Sequence, residues 1–208
     1  MKLVVLISGR GSNLQAILDA GIPVTAVISN NAAAAGLQVA QARGIPTRLV
    51  VHTDFASRIE FDRAMQITID AYAPDLVVLA GYMRILTDDF VHHYVGRLMN
   101  IHPSLLPSFT GLQTHARALA DGVKIHGCTV HFVTPALDHG PIVIQAAVAV
   151  HAEDTVETLQ QRVLAAEHRI YPRAIRWFLE GRLHIDGHGK VNLSSATTSE
   201  QSVWMTGA

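Results

Sequence analysis

Leu3-Val4-Val5-Leu6-Ile7-Ser8-Gly9-Arg10-Gly11-Ser12-Asn13 is an unbroken apolar run that stops at a glycine-punctuated turn and leads into a helix-compatible segment. Five apolar residues without alternation predict a strand buried on both faces, as in a parallel sheet. A helix from Ser12 to about Ala20 would set its dipole and unpaired N–H groups against that turn, a setting suited to an anion. Glycines 9 and 11 allow close backbone approach, and the Ser12 hydroxyl adds a donor. Leu14 stands where a dinucleotide fingerprint needs Gly, and no Gly-Lys-Ser/Thr follows, so a single phosphate monoester fits better than NAD or a nucleoside triphosphate. The plain alternative is a tight turn with an N-cap.

The same rhythm continues outward. Val24 to Ser29 reads as a second strand, Ala34 to Arg43 as a helix, and Thr47 to Val51 as a third strand after Gly44-Ile45-Pro46. Ser57-x-x-Glu60 has capping-box spacing and opens a helix to about Tyr72, stopped by Pro74. Asp75 to Ala80 is another apolar strand, Thr87 to Tyr94 a short helix, and Arg97 to Ile101 a fifth strand. Regular strand-helix alternation predicts an α/β fold with a mostly parallel, Rossmann-like twisted sheet flanked by helices. Beyond residue 101 the pattern changes. Gln113 to Asp121 reads as a helix, while Gly127 to Val133 and Pro141 to Val150 are separated by a connection short enough for an antiparallel pair. Asp154, with Glu157 three residues on, caps a long C-terminal helix that Pro172 should kink. Residues 1–193 are expected to form one domain, with lobes at 1–100 and 101–193, and 194–208 to be a flexible tail.

The fifth strand delivers Asn100-Ile101-His102-Pro103-Ser104-Leu105-Leu106-Pro107. Residues i and i+2 of a strand share a face, so Asn100 and His102 can address one reacting atom, and the two prolines stiffen the loop after the strand. Asp138 lies in the turn between the two late strands, where Asp is usually a local hydrogen-bond former. Near His102, its carboxylate would favour the imidazolium. Glu167 falls on the apolar side of the long helix, where a charge needs a partner or ligand, or a place at the stripe's edge.

Sixteen basic and seventeen acidic side chains give a net charge of −1, which advertises neither nucleic acid nor an anionic membrane as partner. The single cysteine, Cys128, excludes an internal disulfide, and no basic cluster marks it as an activated thiolate. Twelve histidines show no metal-binding spacing, so no metal is expected. No apolar stretch is long enough to span a bilayer and no signal pattern precedes the first strand, so the expected compartment is the cytoplasm.

Taken together, Ser8-Gly9-x-Gly11-Ser12-Asn13, Ala80-Gly81-Tyr82-Met83-Arg84-Ile85-Leu86, Asn100 to Pro107, His131-Phe132-Val133, Asp138-x-Gly140-Pro141 and Ala166-Glu167-His168-x-Ile170-Tyr171-Pro172 resemble the phosphoribosylglycinamide formyltransferases, folate-dependent enzymes of purine synthesis. The resemblance covers Met1 to about Leu193. It implies transfer of the formyl group of 10-formyltetrahydrofolate, a cosubstrate, to the amine of phosphoribosylglycinamide. It further implies that Gly11, Ser12, Asn13 and Glu167 bind the nucleotide, and that Arg58, Met83, Arg84, Ile85, Leu86 and Asn100 receive the folate. Asn100, His102 and Asp138 match the family's catalytic trio. A monomer or homodimer is expected. Thr110 departs from the family, in which many relatives carry a basic residue there, and the Ser/Thr-rich tail is not part of its pattern.

Three alternatives stand beside this reading. A formyltetrahydrofolate deformylase would use water in place of the amine, and usually carries an extra N-terminal domain. A methionyl-tRNA formyltransferase would need a nucleic-acid-binding C-terminal domain and a more basic surface. A non-catalytic phosphometabolite-binding module on the same scaffold is the rival from another class.

Overall fold

A computed structural model describes residues 1–194 and the backbone of residues 204–205. The chain divides into two compact units, Met1–Asn100 and Ile101–Ala208.

In the first unit the strands are β1 (Leu3–Ile7), β2 (Ala26–Ser29), β3 (Thr47–Leu49), β4 (Leu76–Leu79) and the start of β5 (Leu98–His102). They lie in the order β5-β4-β1-β2-β3, and every neighbouring pair is parallel. β1, β2 and β4 are buried along their whole length, as unalternated apolar runs require. Helices α1 (Ser12–Asp19), α2 (Gly36–Ala42), α3 (Arg58–Asp70) and α4 (Asp88–His93) fill the crossovers, with a 3₁₀ turn at His52–Asp54. α1 stops where Gly21, at φ 73°, donates its N–H to Leu18 and Ile22 donates to Ile17, a Schellman-type end. α2 begins two residues later than expected. The Asn31 side chain accepts the Ala33 N–H at 3.0 Å and the Asn31 carbonyl accepts Ala34, so a local turn takes the first residues of the expected helix. At the start of α3 the Ser57 hydroxyl accepts the Glu60 N–H at 3.2 Å, while the Glu60 carboxylate reaches back to the Ala56 N–H at 3.2 Å.

In the second unit β6 (Ile125–Phe132) and β7 (Ile142–Ala149) are antiparallel, with a bulge between Val130 and His131. Gly140 is required at their connection, because a Cβ there would lie 1.7 Å from the Phe132 carbonyl oxygen. α5 (Thr114–Ala120) precedes the pair, and α6 (Val156–Leu179) packs on both strands. Leu159, Val163, Ala166, Ile170, Ala174, Ile175 and Trp177 supply its buried face. Each large aliphatic side chain buried in this way contributes roughly 1.5–3 kcal/mol. The cap of α6 is Thr155, whose box partner is Thr158, one residue beyond the expected Asp154-Glu157 pair. Asp154 instead forms a two-pronged ion pair with Arg162 at 2.7 and 2.8 Å, which holds its carboxyl well below the usual range. The helix continues through Pro172.

A hairpin of β8 (Leu183–Ile185) and β9 (Val191–Leu193) follows, in a stretch where the sequence suggested no element. The expected tail lies outside the described residues apart from Ser194 and β10 (Trp204–Met205), whose backbone pairs parallel with Ala146–Ala147 of β7. The fold is thus α/β, with mostly parallel strands flanked by helices, a late antiparallel pair and a long C-terminal helix. Among the described residues, no helix is long and apolar enough to cross a membrane.

Candidate active site

Gly11, Ser12 and Asn13 share one turn in the first unit. Gly11 is the N-cap of α1 at φ 79°, and a Cβ on it would fall 2.6 Å from the Cα of Gly36. Gly36 in turn donates its N–H to the Gly9 carbonyl at 3.1 Å, so the turn lies backbone to backbone against the start of α2. Glycine at the cap brings no side chain, and no side-chain hydrogen bond caps α1. The N-terminal end of this helix, with its dipole, thus faces the turn without a capping side chain. The exposed Arg10 adds a cation to the same turn, a candidate that the glycine and serine pattern drew attention away from.

The remaining first-unit candidates lie on α3 and on the connection from β4 to α4. Arg58 is exposed at the first turn of α3, and its side chain has no hydrogen bond or ion pair among the described residues. Met83 and Ile85 are exposed to 70% and 61%, so two apolar side chains face outward from one short loop. The backbone groups of Arg84, Ile85 and Leu86 make no hydrogen bond among the described residues. A planar ligand with alternating donors and acceptors would find both an apolar surface and unused peptide groups here. Arg84 lies over the Phe61 ring at 6.0 Å.

Asn100 and His102 are two residues apart on β5, where the strand's alternation gives their side chains a common face. Asn100 is half-buried and His102 is buried. In the second unit Asp138 reaches His102, with its Oδ2 3.6 Å from Nδ1 and both side chains under a tenth exposed. That distance serves charge attraction in a poorly solvated setting but is too long for a hydrogen bond. The same Oδ2 accepts the Gly111 N–H at 2.8 Å. Asp138 holds φ 56°, a left-handed conformation that Asp tolerates better than most residues. The other His102 nitrogen, Nε2, lies 3.0 Å from the Phe109 carbonyl oxygen. An acceptor there requires the proton on Nε2.

Residues 103–113 are tied down by side chains that the sequence did not single out. The Thr129 hydroxyl, fully buried, donates to the Ser104 carbonyl at 2.7 Å and accepts from the Leu106 N–H and the Gln145 amide. Thr114 donates to Pro103, Ser104 to Ser108 and Gln145 to Leu106 through their carbonyls. Thr110 is neutral, but Arg117 donates to its carbonyl at 2.6 Å and lies over the Phe109 ring at 5.6 Å. A guanidinium thus reaches the loop from a position seven residues on.

Glu167 is buried on α6, as its place on the apolar side suggested. Burial and the Glu167 carboxylate together push the Cys128 thiol upward, which keeps it protonated and unreactive. Burial lowers His115 and His131, and pushes His126 down to about 4. Among the described residues, no group of three or more His, Cys, Asp or Glu side chains is placed to hold a metal ion.

The chain is similar to known proteins in sequence and in fold. The family described as "Formyl transferase" matches residues 1–175. The phosphoribosylglycinamide formyltransferase of Escherichia coli K12 is 53% identical over 189 residues, which is 88% of this chain and 89% of that protein. The trifunctional purine biosynthetic protein adenosine-3 of Homo sapiens is 46% identical over 196 residues, 91% of this chain and 19% of the larger protein. The solved structure of the phosphoribosylglycinamide formyltransferase from Coxiella burnetii superposes with a TM-score of 0.90 at 49% identity, over 99% of both chains. The glycine turn, the outward loop after β4 and the buried His-Asp pair therefore sit in a chain that belongs to the formyl transferase family.

Proposed function

We propose that this protein transfers the formyl group of 10-formyltetrahydrofolate to the amino group of phosphoribosylglycinamide, a step of purine synthesis. The observation that carries the reading is the buried imidazole of His102, with a carboxylate 3.6 Å from one nitrogen and an oxygen acceptor 3.0 Å from the other. Such a group is built to present an N–H to an oxygen that gains charge. Kinship with formyltransferases supports the reading of that oxygen as the one on a formyl carbon under attack by an amine.

In this reading the Gly11-Ser12-Asn13 turn holds the phosphate, and Glu167 binds the nucleotide toward its amine end. Arg58 meets the negatively charged tail of the folate, while Met83, Arg84, Ile85 and Leu86 receive its ring. Asn100 contributes to the folate site and, with its amide N–H₂, to the oxyanion. The folate supplies an activated one-carbon group. His102 then exchanges its Phe109 carbonyl partner for the developing oxyanion, and Asp138 keeps the imidazole oriented. One proton passes from the attacking amine to the departing nitrogen.

The test is formyl transfer by the purified protein. Formylated nucleotide should accumulate only when both substrates are supplied. Folate hydrolysis that runs equally fast without the nucleotide would instead identify a deformylase, and nucleotide binding without turnover would identify a binding module. A cytoplasmic site of action belongs to the same proposal.

A further inference from the structure

The loop from Ala80 to Thr87 is fixed at both ends by buried polar side chains from other elements, and between those points its peptide groups are open. At its start the Ser8 hydroxyl, 8% exposed, accepts the Met83 N–H at 2.8 Å. Its one proton goes to the Asn30 amide oxygen at 2.6 Å, so the Ser8 oxygen is turned toward Met83 as an acceptor. The Ser8 N–H also reaches the Gly81 carbonyl at 3.3 Å. At the other end Asp62, on α3 and 2% exposed, accepts the Thr87 N–H on Oδ2 at 2.6 Å. Its second oxygen is buried with no hydrogen-bond partner among the described residues, and the buried Tyr82 hydroxyl of the loop also lacks one. A carboxylate left half-satisfied destabilises the fold relative to a neutral acceptor, so stability alone does not explain it.

We propose that Ser8 and Asp62 are positioning residues that hold the Met83–Leu86 backbone in its ligand-ready form, from the end of β1 and from α3 respectively. The proposal rests on the reading of this loop as the folate site. A loop whose recognition groups are peptide N–H and C=O gains affinity from being fixed in advance, because the ligand then bears little of the ordering cost. Neither side chain touches the ligand in this scheme. Both act through the loop.

The experiment measures folate and nucleotide dissociation constants by calorimetry, with KM and kcat alongside, for Asp62→Ala, Asp62→Asn, Ser8→Ala and Ser8→Thr. Wild-type protein must first bind the folate. If it binds none, the reading of the loop fails, and the proposal fails with it. Given binding, the alanine variants should lose tenfold or more in folate affinity and keep nucleotide affinity within twofold. Their folate KM should rise far more than kcat falls. Asp62→Asn and Ser8→Thr keep an acceptor oxygen and should restore most of the affinity. A merely structural role would weaken both ligands together, with no rescue, and that result would overturn the proposal. So would native folate affinity in a folded alanine variant. Should Asp62→Ala fail to fold, the Ser8→Ala and Ser8→Thr pair decides the question from the other end of the loop.

Discussion

Each unit has a loop next to candidate residues, and the two loops satisfy their peptide groups in opposite ways. In the first unit, Arg84 to Leu86 make no backbone hydrogen bond among the described residues. In the second unit, the carbonyls of Pro103, Ser104, Leu106, Ser108, Phe109 and Thr110 each accept a side-chain hydrogen bond. The open loop suits recognition, since a ligand can complete its peptide groups and side chains there are free to vary. The saturated loop suits catalysis, since every one of those bonds restricts where the His102 imidazole and its surroundings can go. Binding and turnover should therefore respond to substitution in different places.

The sharpest division is expected at β5 and its partner. Asn100→Ala and His102→Ala each remove a donor from the oxyanion and should lower kcat by a hundredfold to a thousandfold, roughly 3–4 kcal/mol, with KM changed only a few-fold. Equal losses in KM and kcat would break the comparison. Asp138→Asn should cost less, about tenfold to a hundredfold in kcat. Asn retains an oxygen for the Gly111 N–H but loses the charge facing Nδ1 of His102. Asp138→Ala loses both, so the gap between the two variants in a single-turnover assay separates the anchoring of Gly111 from the charge.

The contrast also explains what could be read from the chain alone. β1, β2 and β4 were legible because burial on both faces leaves an apolar run, and the Asn100-x-His102 pair because a strand's two-residue period is fixed. Residue pattern alone showed Asp138 as a turn residue, and only the family resemblance placed it in the trio, since its approach to His102 is set by a connection in which Gly140 lies tight against the Phe132 carbonyl. The bonds made by Ser8, Asp62 and Thr129 were not legible for a related reason. Each is an ordinary polar residue whose role lies in a bond to a distant peptide group, and no local period records that. The hairpin at 183–193 was missed because its strands are only three residues long.

In the first unit, the glycine turn offers a test on binding. Gly11→Ala forces an L-residue into φ 79° and drives a Cβ toward Gly36, at about 1–2 kcal/mol for the backbone alone. Nucleotide affinity should fall about tenfold, with kcat at saturation falling less than threefold. A variant that binds the nucleotide normally would sink the assignment of this turn to the phosphate.

The smallest effect concerns stability and should arise only in the second unit. His126 is buried, its Nε2 lies 3.2 Å from Nδ1 of His115, and its ring meets Phe109 edge-on at 5.7 Å. Burial holds it neutral, with a pKa of about 4 against an ordinary value of 6.5. Above pH 6.5 neither folded nor unfolded His126 binds a proton, and its contribution to stability is fully present. Between pH 6.5 and 4 the unfolded chain takes up a proton that the folded chain refuses, so stability falls as pH falls, and below 4 the loss is complete. Allowing for solvent screening, the loss is on the order of 1–2 kcal/mol. His126→Gln keeps a polar atom for His115 and removes the titration, so it should flatten the decline of Tm across that window. Hydrogen exchange should show the acid-induced loosening at residues 103–126 and not at 80–87. An unaltered Tm slope in the variant would show that other groups carry the acid sensitivity. Equal loosening of both loops would show that the saturated loop is no more dependent on its side-chain bonds than the open one.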